Sequence, residues 1–173
     1  MASLIPAGSA SGTGSMTLAA PVTNSTQTAT LPDATGTVMV SGNMPAFSYY
    51  QSSAQTLGAA VQTKLTFTAS DFDTTSGMYS SSRFTPTIAG YYNINGSVTV
   101  GNNSQNIVSV YKNGSNVRTG VNISNGYYSS VQTIVYCNGS TDYIEIYCYM
   151  APGGTTGTGI GATMFQGILA RTA

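Results

Sequence analysis

The chain has 173 residues, 41% of them hydrophobic and 6% charged, with five Lys or Arg against five Asp or Glu and no His. The hydrophobic share fills one ordinary core, while a charged fraction far below the roughly 25% of average soluble domains leaves solubility to Ser, Thr, Asn and Gly. Five scattered cations form no track for a phosphate backbone and no patch for an anionic membrane, and without His the Ser-His-Asp and Cys-His arrangements of hydrolases are impossible.

Residues 1–12 contain no Lys or Arg and no apolar run of signal-peptide length, and no segment approaches the roughly 20 apolar residues of a spanning helix. Residues 1–44 are rich in Ala, Ser, Thr, Gly and Pro, hold one charge (Asp33), and lack aromatic residues. A globular core without aromatics is unexpected over such a length. Pro32-Asp33-Ala34-Thr35-Gly36 reads as a turn. A disordered tail is one reading. The favoured one is an extended arm that orders on a partner, because Leu18, Val22, Leu31, Val38 and Val40 are apolar residues that a solvated tail does not need.

From Pro45 the aromatic content rises and helix-forming runs are missing, while Thr, Val, Ile, Tyr and Ser abound. Strands are predicted over residues 46–51 and 61–69, with a loop over 71–82 and a short extended piece at 83–89. Residues 91–100 alternate: Tyr92, Ile94, Gly96, Val98 and Val100 on one face, Tyr91, Asn93, Asn95, Ser97 and Thr99 on the other. That is a half-buried antiparallel strand. Asn113-Gly114 between 107–111 and 115–121 predicts a type I′ hairpin, which needs positive φ at both central residues. Residues 127–137 and 142–150 flank Asn138-Gly139-Ser140-Thr141, a second predicted hairpin. A glycine-rich loop (152–159) and a closing strand (160–170) bring the count to about eight to ten. The expectation is an all-β jelly-roll sandwich over residues 45–173.

On 142–150, Ile144, Ile146, Cys148 and Met150 make one apolar face; Tyr143, Glu145, Tyr147 and Tyr149 make the other. Three tyrosines on the outward face suggest a subunit interface, since Tyr combines area with a hydroxyl; a partly exposed sheet is the alternative. Near-zero net charge also favours association. Cys137 and Cys148 are read as free buried thiols ahead of a disulfide between neighbouring strands.

The run Arg83-Phe84-Thr85-Pro86-Thr87-Ile88-Ala89-Gly90-Tyr91-Tyr92, with Phe67 and Asp73, resembles the signature of the complement globular head and its relatives in the tumour-necrosis-factor jelly-roll superfamily. Phe165-Gln166-Gly167-Ile168-Leu169 resembles that family's final core strand, and Tyr111-Lys112-Asn113-Gly114 its central hairpin. Ile94 and Gly96 depart from the aromatic positions expected after Tyr92, and no Gly-X-Y segment precedes the domain. Leu31-Pro32-Asp33-Ala34-Thr35-Gly36-Thr37 resembles segments preceding receptor-binding or decoration domains of tailed-bacteriophage virion proteins. Together these resemblances imply a homotrimer with its last strands packed about a threefold axis, which adds Phe165 to Tyr143, Tyr147 and Tyr149 at the interface.

No enzymatic site and no cofactor are expected. Asp71 and Asp73 lie two apart but lack the further acidic ligands of a hand-type calcium loop, so they read as turn residues. Gly153 to Gly159 has no Lys and is not a phosphate loop. The expected role is a virion surface protein, either capsid decoration, cement or head fibre, assembled in the host cytoplasm with the major capsid protein as partner. The alternative is a tail-fibre or baseplate tip, with residues 122–129 contacting a host glycan or protein.

Overall fold

A computed structural model describes residues 44–173, apart from the side chains of residues 102–104 and 123, together with Asn24, Thr26, Met39, Val40 and Gly42. Twelve strands form among the described residues: β1 (Ala46–Tyr50), β2 (Thr56–Leu57), β3 (Thr63–Lys64), β4 (Ala69–Asp73), β5 (Tyr79–Ser80), β6 (Arg83–Phe84), β7 (Gly90–Lys112), β8 (Ser115–Thr119), β9 (Ile123–Cys137), β10 (Ile144–Ala151), β11 (Gly154–Thr155) and β12 (Met164–Thr172). All pairings are antiparallel, and no α-helix forms among these residues.

The long strand β7 joins two layers. Its first part lies between β12, with Gly96 opposite Phe165, and β9, with Gly96 opposite Val131. Beyond β12 come β1 and β4, completing the front layer. Its last part lies between β8 and β10, with Val110 opposite Ile146, and β10 carries β3 and β6 on its other edge. That is the back layer. The predicted strand alternation holds: Tyr92, Ile94, Val98 and Val100 are buried from the front, and Ile144, Ile146, Cys148 and Met150 from the back. Gly96 sits where a Cβ would lie 2.9 Å from Ile146 Cδ1, so the absence of a side chain lets the layers approach. Aromatic rings fill one end of the core: Phe47 packs 4.6 Å from Phe84 and 5.0 Å from Phe165 between ring centroids. This layered antiparallel arrangement is a jelly roll.

Several local expectations change. Asn113 (φ 53°) and Gly114 (φ 78°) form the predicted hairpin turn between β7 and β8. The second predicted hairpin is replaced by a crossover, because β9 pairs with the first part of β7 and β10 with its last part. Asn138 Oδ1 accepts the backbone N–H groups of Ser140, Thr141 and Asp142, which makes the connection a self-contained turn without strand pairing. Residues 91–100 and 107–111 belong to one strand, carried through 101–106 by register shifts against β9. The 61–69 expectation shrinks to the two residues of β3 and Ala69 at the start of β4, and β4 and β5 occupy part of the expected 71–82 loop. β11 pairs with β2 within the expected glycine-rich loop.

A buried polar network ties the short strands down. Gln51 is fully buried; its Nε2 donates to Gln55 Oε1 at 2.9 Å, and its Oε1 accepts from Thr156 Oγ1. Gln55 in turn donates to the Lys64 carbonyl at 2.8 Å and accepts the Thr66 N–H at 2.9 Å. Substituting Gln51→Leu leaves the buried Thr156 hydroxyl without its acceptor, while Gln55 Oε1 keeps the Thr66 N–H. The expected loss is about 1–3 kcal/mol in urea unfolding, the cost of one buried group left unpaired. A loss under about 0.5 kcal/mol, the ordinary range for surface substitutions, would mean the network is dispensable.

Candidate assembly surfaces

The outward side chains of the two layers make two different surfaces. On the back layer, β10 presents Tyr143, Glu145, Tyr147 and Tyr149, and the three tyrosines are half-buried. Glu145, whose side chain is 3% exposed, receives Lys64 Nζ at 2.7 Å and Arg83 Nε at 2.9 Å. The Arg83 guanidinium lies 3.9 Å above the Tyr143 ring, and Tyr111 stacks on Tyr147 at 4.1 Å between centroids. Much of this tyrosine face is therefore satisfied by its own chain. The Lys64–Glu145–Arg83 cluster escaped sequence reading because its members come from three strands far apart in the chain.

Phe165 points the other way. It is 0% exposed, packed among Phe47, Phe67 and Tyr79. This corrects the expectation that it meets another subunit: a side chain with no accessible area has nothing to offer a partner. Among the arm residues, Leu18, Val22, Leu31 and Val38 lie outside the described residues, and Val40 is 57% exposed.

The front layer's outward face has a different character. Cross-strand rows run Ala46–Ile168–Asn93–Ile134 and Ser48–Gln166–Asn95–Gln132, with Arg171–Tyr91–Tyr136 beyond a bulge in β12. Ile134 is 64% exposed, Phe72 47%, Ile168 44%, Tyr136 43% and Tyr91 40%. Between these apolar side chains the amides bond across strands: Asn95 Nδ2 donates to Gln166 Oε1 at 3.2 Å, and Gln132 Nε2 to Asn93 Oδ1 at 3.3 Å. Charges stand at one end of this face: Arg171 is 5.4 Å from the Tyr91 ring centroid, and Lys112, paired with Asp142, is 5.7 Å from the Tyr136 centroid. The signal was present in the sequence as Ile134 and Tyr136 alternating with Val131, Val135 and Cys137 in β9, but both sets are apolar and periodicity alone does not say which points out.

The ionisable groups are distributed to hold the fold together. Burial alone would raise Glu145, but hydrogen bonds and charge from Lys64 and Arg83 hold its carboxyl below the usual range. Asp73, also opposed by burial, is held low by bonds from Thr75 and Tyr49; Asp142 is held low by Lys112 and Asn113. Burial pushes the Cys137 thiol up to about 11 and Cys148 up to about 12; the two are free, on strands that do not pair. A lowered carboxyl contributes stability above its unfolded value of about 4 and loses it as pH falls through the folded value. A raised thiol contributes fully below its unfolded value of about 8.5 and loses that contribution as pH rises. With no His, the melting temperature is expected to be flat from about pH 5 to 8 and to fall on either side. Calorimetry across this range checks it, and a transition near pH 6.5 would contradict it.

Among the described residues no group of three or more His, Cys, Asp or Glu is placed to hold a metal, and no helix is long and apolar enough to cross a membrane. What the geometry defines is a jelly roll with one sheet face whose centre is an uncharged amide ladder flanked by exposed apolar side chains. Solved structures similar to it include globular domains of the complement and tumour-necrosis-factor type. The globular domain of zebrafish complement 1qA protein is 15% identical at TM-score 0.57, covering 76% of this chain and 100% of that one. Eiger TNF from S. frugiperda is 6% identical at TM-score 0.55, covering 75% and 94%. Murine APRIL is 9% identical at TM-score 0.50, covering 73% and 99%. No protein-family model and no curated protein matches the chain. The likeness is one of fold.

Proposed function

We propose that this chain is a homotrimeric structural protein of a tailed-bacteriophage virion, a capsid decoration, cement or head-fibre protein. Its jelly roll projects from the particle, and residues 1–44 attach it, with the major capsid protein as the partner. The observation that carries the trimer is the front face, where five exposed apolar side chains surround an uncharged amide ladder. Such a face packs about a threefold axis without bringing like charges together, and a trimer matches the local threefold positions of a capsid lattice. We place the subunit contact there in preference to the tyrosine face of β10, whose groups already pair within the chain. The virion role is supported by the resemblance of Leu31 to Thr37 to virion segments and by a surface that carries little charge. The protein performs no catalysis in this reading.

Light scattering tests the assembly: a trimer of 17.8 kDa chains has a mass of about 53 kDa. A monomer at micromolar concentration overturns it. Immunogold microscopy of purified particles, with an antibody to residues 45–173, tests the location, and label over the icosahedral head is expected. Label confined to the tail would favour the receptor-binding reading, for which Tyr127 (57% exposed) and Tyr128 (50%) offer stacking surfaces in the 122–129 segment.

A further inference from the structure

On the open side of the sandwich, a cleft of about 490 Å³ lies among β1, the segment between β3 and β4, and the β5–β6 turn. Its lining is Tyr49, residues 66–68 and residues 79–82, so every lining residue but Phe67 carries a hydroxyl and none carries a formal charge. We propose that this cleft is a binding site for an uncharged sugar ring. The proposal is independent of the trimer, because no lining residue belongs to the front-face rows.

Three observations converge. The cleft falls in the size range of small-molecule sites, roughly 300–1,000 Å³. Its aromatic floor is preorganised: Tyr49 stacks on Tyr79 at 3.6 Å and 13°, and the Tyr49 hydroxyl is anchored on Asp73 Oδ2 at 2.6 Å. Its rim is strained. Ser81 (φ 51°) and Ser82 (φ 57°) form the two-residue turn between β5 and β6, where Asn-Gly would adopt positive φ at less cost. Ser82 has a structural reason to be there, since its Oγ accepts the Phe67 N–H at 2.7 Å and donates to the Phe67 carbonyl. The Ser80 and Ser81 hydroxyls have none; both are exposed and make no hydrogen bond within the described protein. At the base, the Tyr79 hydroxyl is buried beside Ser82.

The chemistry selects the ligand. A sugar ring has an apolar face for the aromatic floor and hydroxyls around its edge for the Ser and Thr rim. An anion finds no free cation, because Lys64, which donates to the Ser81 carbonyl, is paired with Glu145. A cation finds no free carboxylate, because Asp73 accepts from Tyr49 and Thr75.

The test is amide NMR of the full-length protein titrated with glucose, galactose and N-acetylglucosamine, with glycerol as control. Saturable shifts at residues 66–68 and 79–82 are expected with at least one sugar and not with glycerol. The double variant Ser80→Ala, Ser81→Ala removes only unbonded hydroxyls, so the spectrum should stay folded while affinity falls by about tenfold or more. Three results overturn the proposal: no saturable shift in the cleft with any sugar, shifts confined to residues 122–129, or unchanged affinity in the folded double variant. Mass measured on the same sample reports separately on the trimer.

Discussion

Ile134→Arg is expected to convert the proposed trimer into a monomer that keeps its fold. In the free subunit this side chain is 64% exposed near the C-terminal end of β9, so a charge there meets water and changes subunit stability by no more than about 0.5 kcal/mol. In the proposed trimer the same substitution takes three guanidinium groups into a face whose cross-strand rows carry no carboxylate. Desolvating an unpaired charge costs several kcal/mol, and each 1.4 kcal/mol is about tenfold in affinity, so dissociation should strengthen by several orders of magnitude. Light scattering should read one 17.8 kDa chain with unchanged circular dichroism. If Ile134→Arg stays trimeric while Tyr147→Arg dissociates, the contact belongs to the back layer and the tyrosine row is the interface after all.

Phe165→Ala should cost about 3–5 kcal/mol even in the monomeric Ile134→Arg background, the usual range for emptying a buried phenyl site. Phe165 is fully buried and makes ring contacts with Phe47, Phe67 and Tyr79, which come from three separate stretches of chain. Phe47 and Tyr79 are held by their strand pairings and Phe67 by its backbone bonds to Ser82, so none of them can move in to fill the hole and the cavity persists. Denaturant unfolding in the monomeric background isolates this loss from any effect on assembly. A loss under about 1 kcal/mol there, with the trimer weakened instead, would place the ring at a subunit contact and not in the core.

Much of the fold was legible because antiparallel strands advertise themselves locally. The 92–100 alternation named Tyr92, Ile94, Val98 and Val100, which β7 buries, although Ser97 on the opposite face is buried too; the same kind of alternation named Ile144, Ile146, Cys148 and Met150 in β10. Asn113-Gly114 specified its turn through backbone sterics alone, and the turn formed. The errors arose where two readings fit the same residues. Asn138 to Thr141 has turn chemistry, and that chemistry is used, but a turn does not state whether the flanking strands pair with each other or separate to two layers. Residues 101–106 read as a break, and the strand passes through them with shifted register.

The candidate surfaces were harder. Tyr143, Tyr147 and Tyr149 drew notice because three aromatics on an outward face look unsatisfied. In the fold Arg83 covers one and Tyr111 stacks on another. Phe165 was assigned outward by analogy of its strand, and its parity along β12 puts it inward opposite Gly96.

The sequence by itself determined the all-β class, the faces of the longer strands, the tight turn at Asn113-Gly114 and the exclusion of His-based chemistry. These follow from side-chain alternation, φ preference and composition, which need only near neighbours. Tertiary structure alone decided that β7 serves both layers, that β10 leaves β9, that Glu145 is clasped by Lys64 and Arg83, and that Ile134 and Ile168 stand open while Phe165 does not. Alternation says which residues share a face; whether that face meets protein or water depends on strands that arrive from elsewhere in the chain.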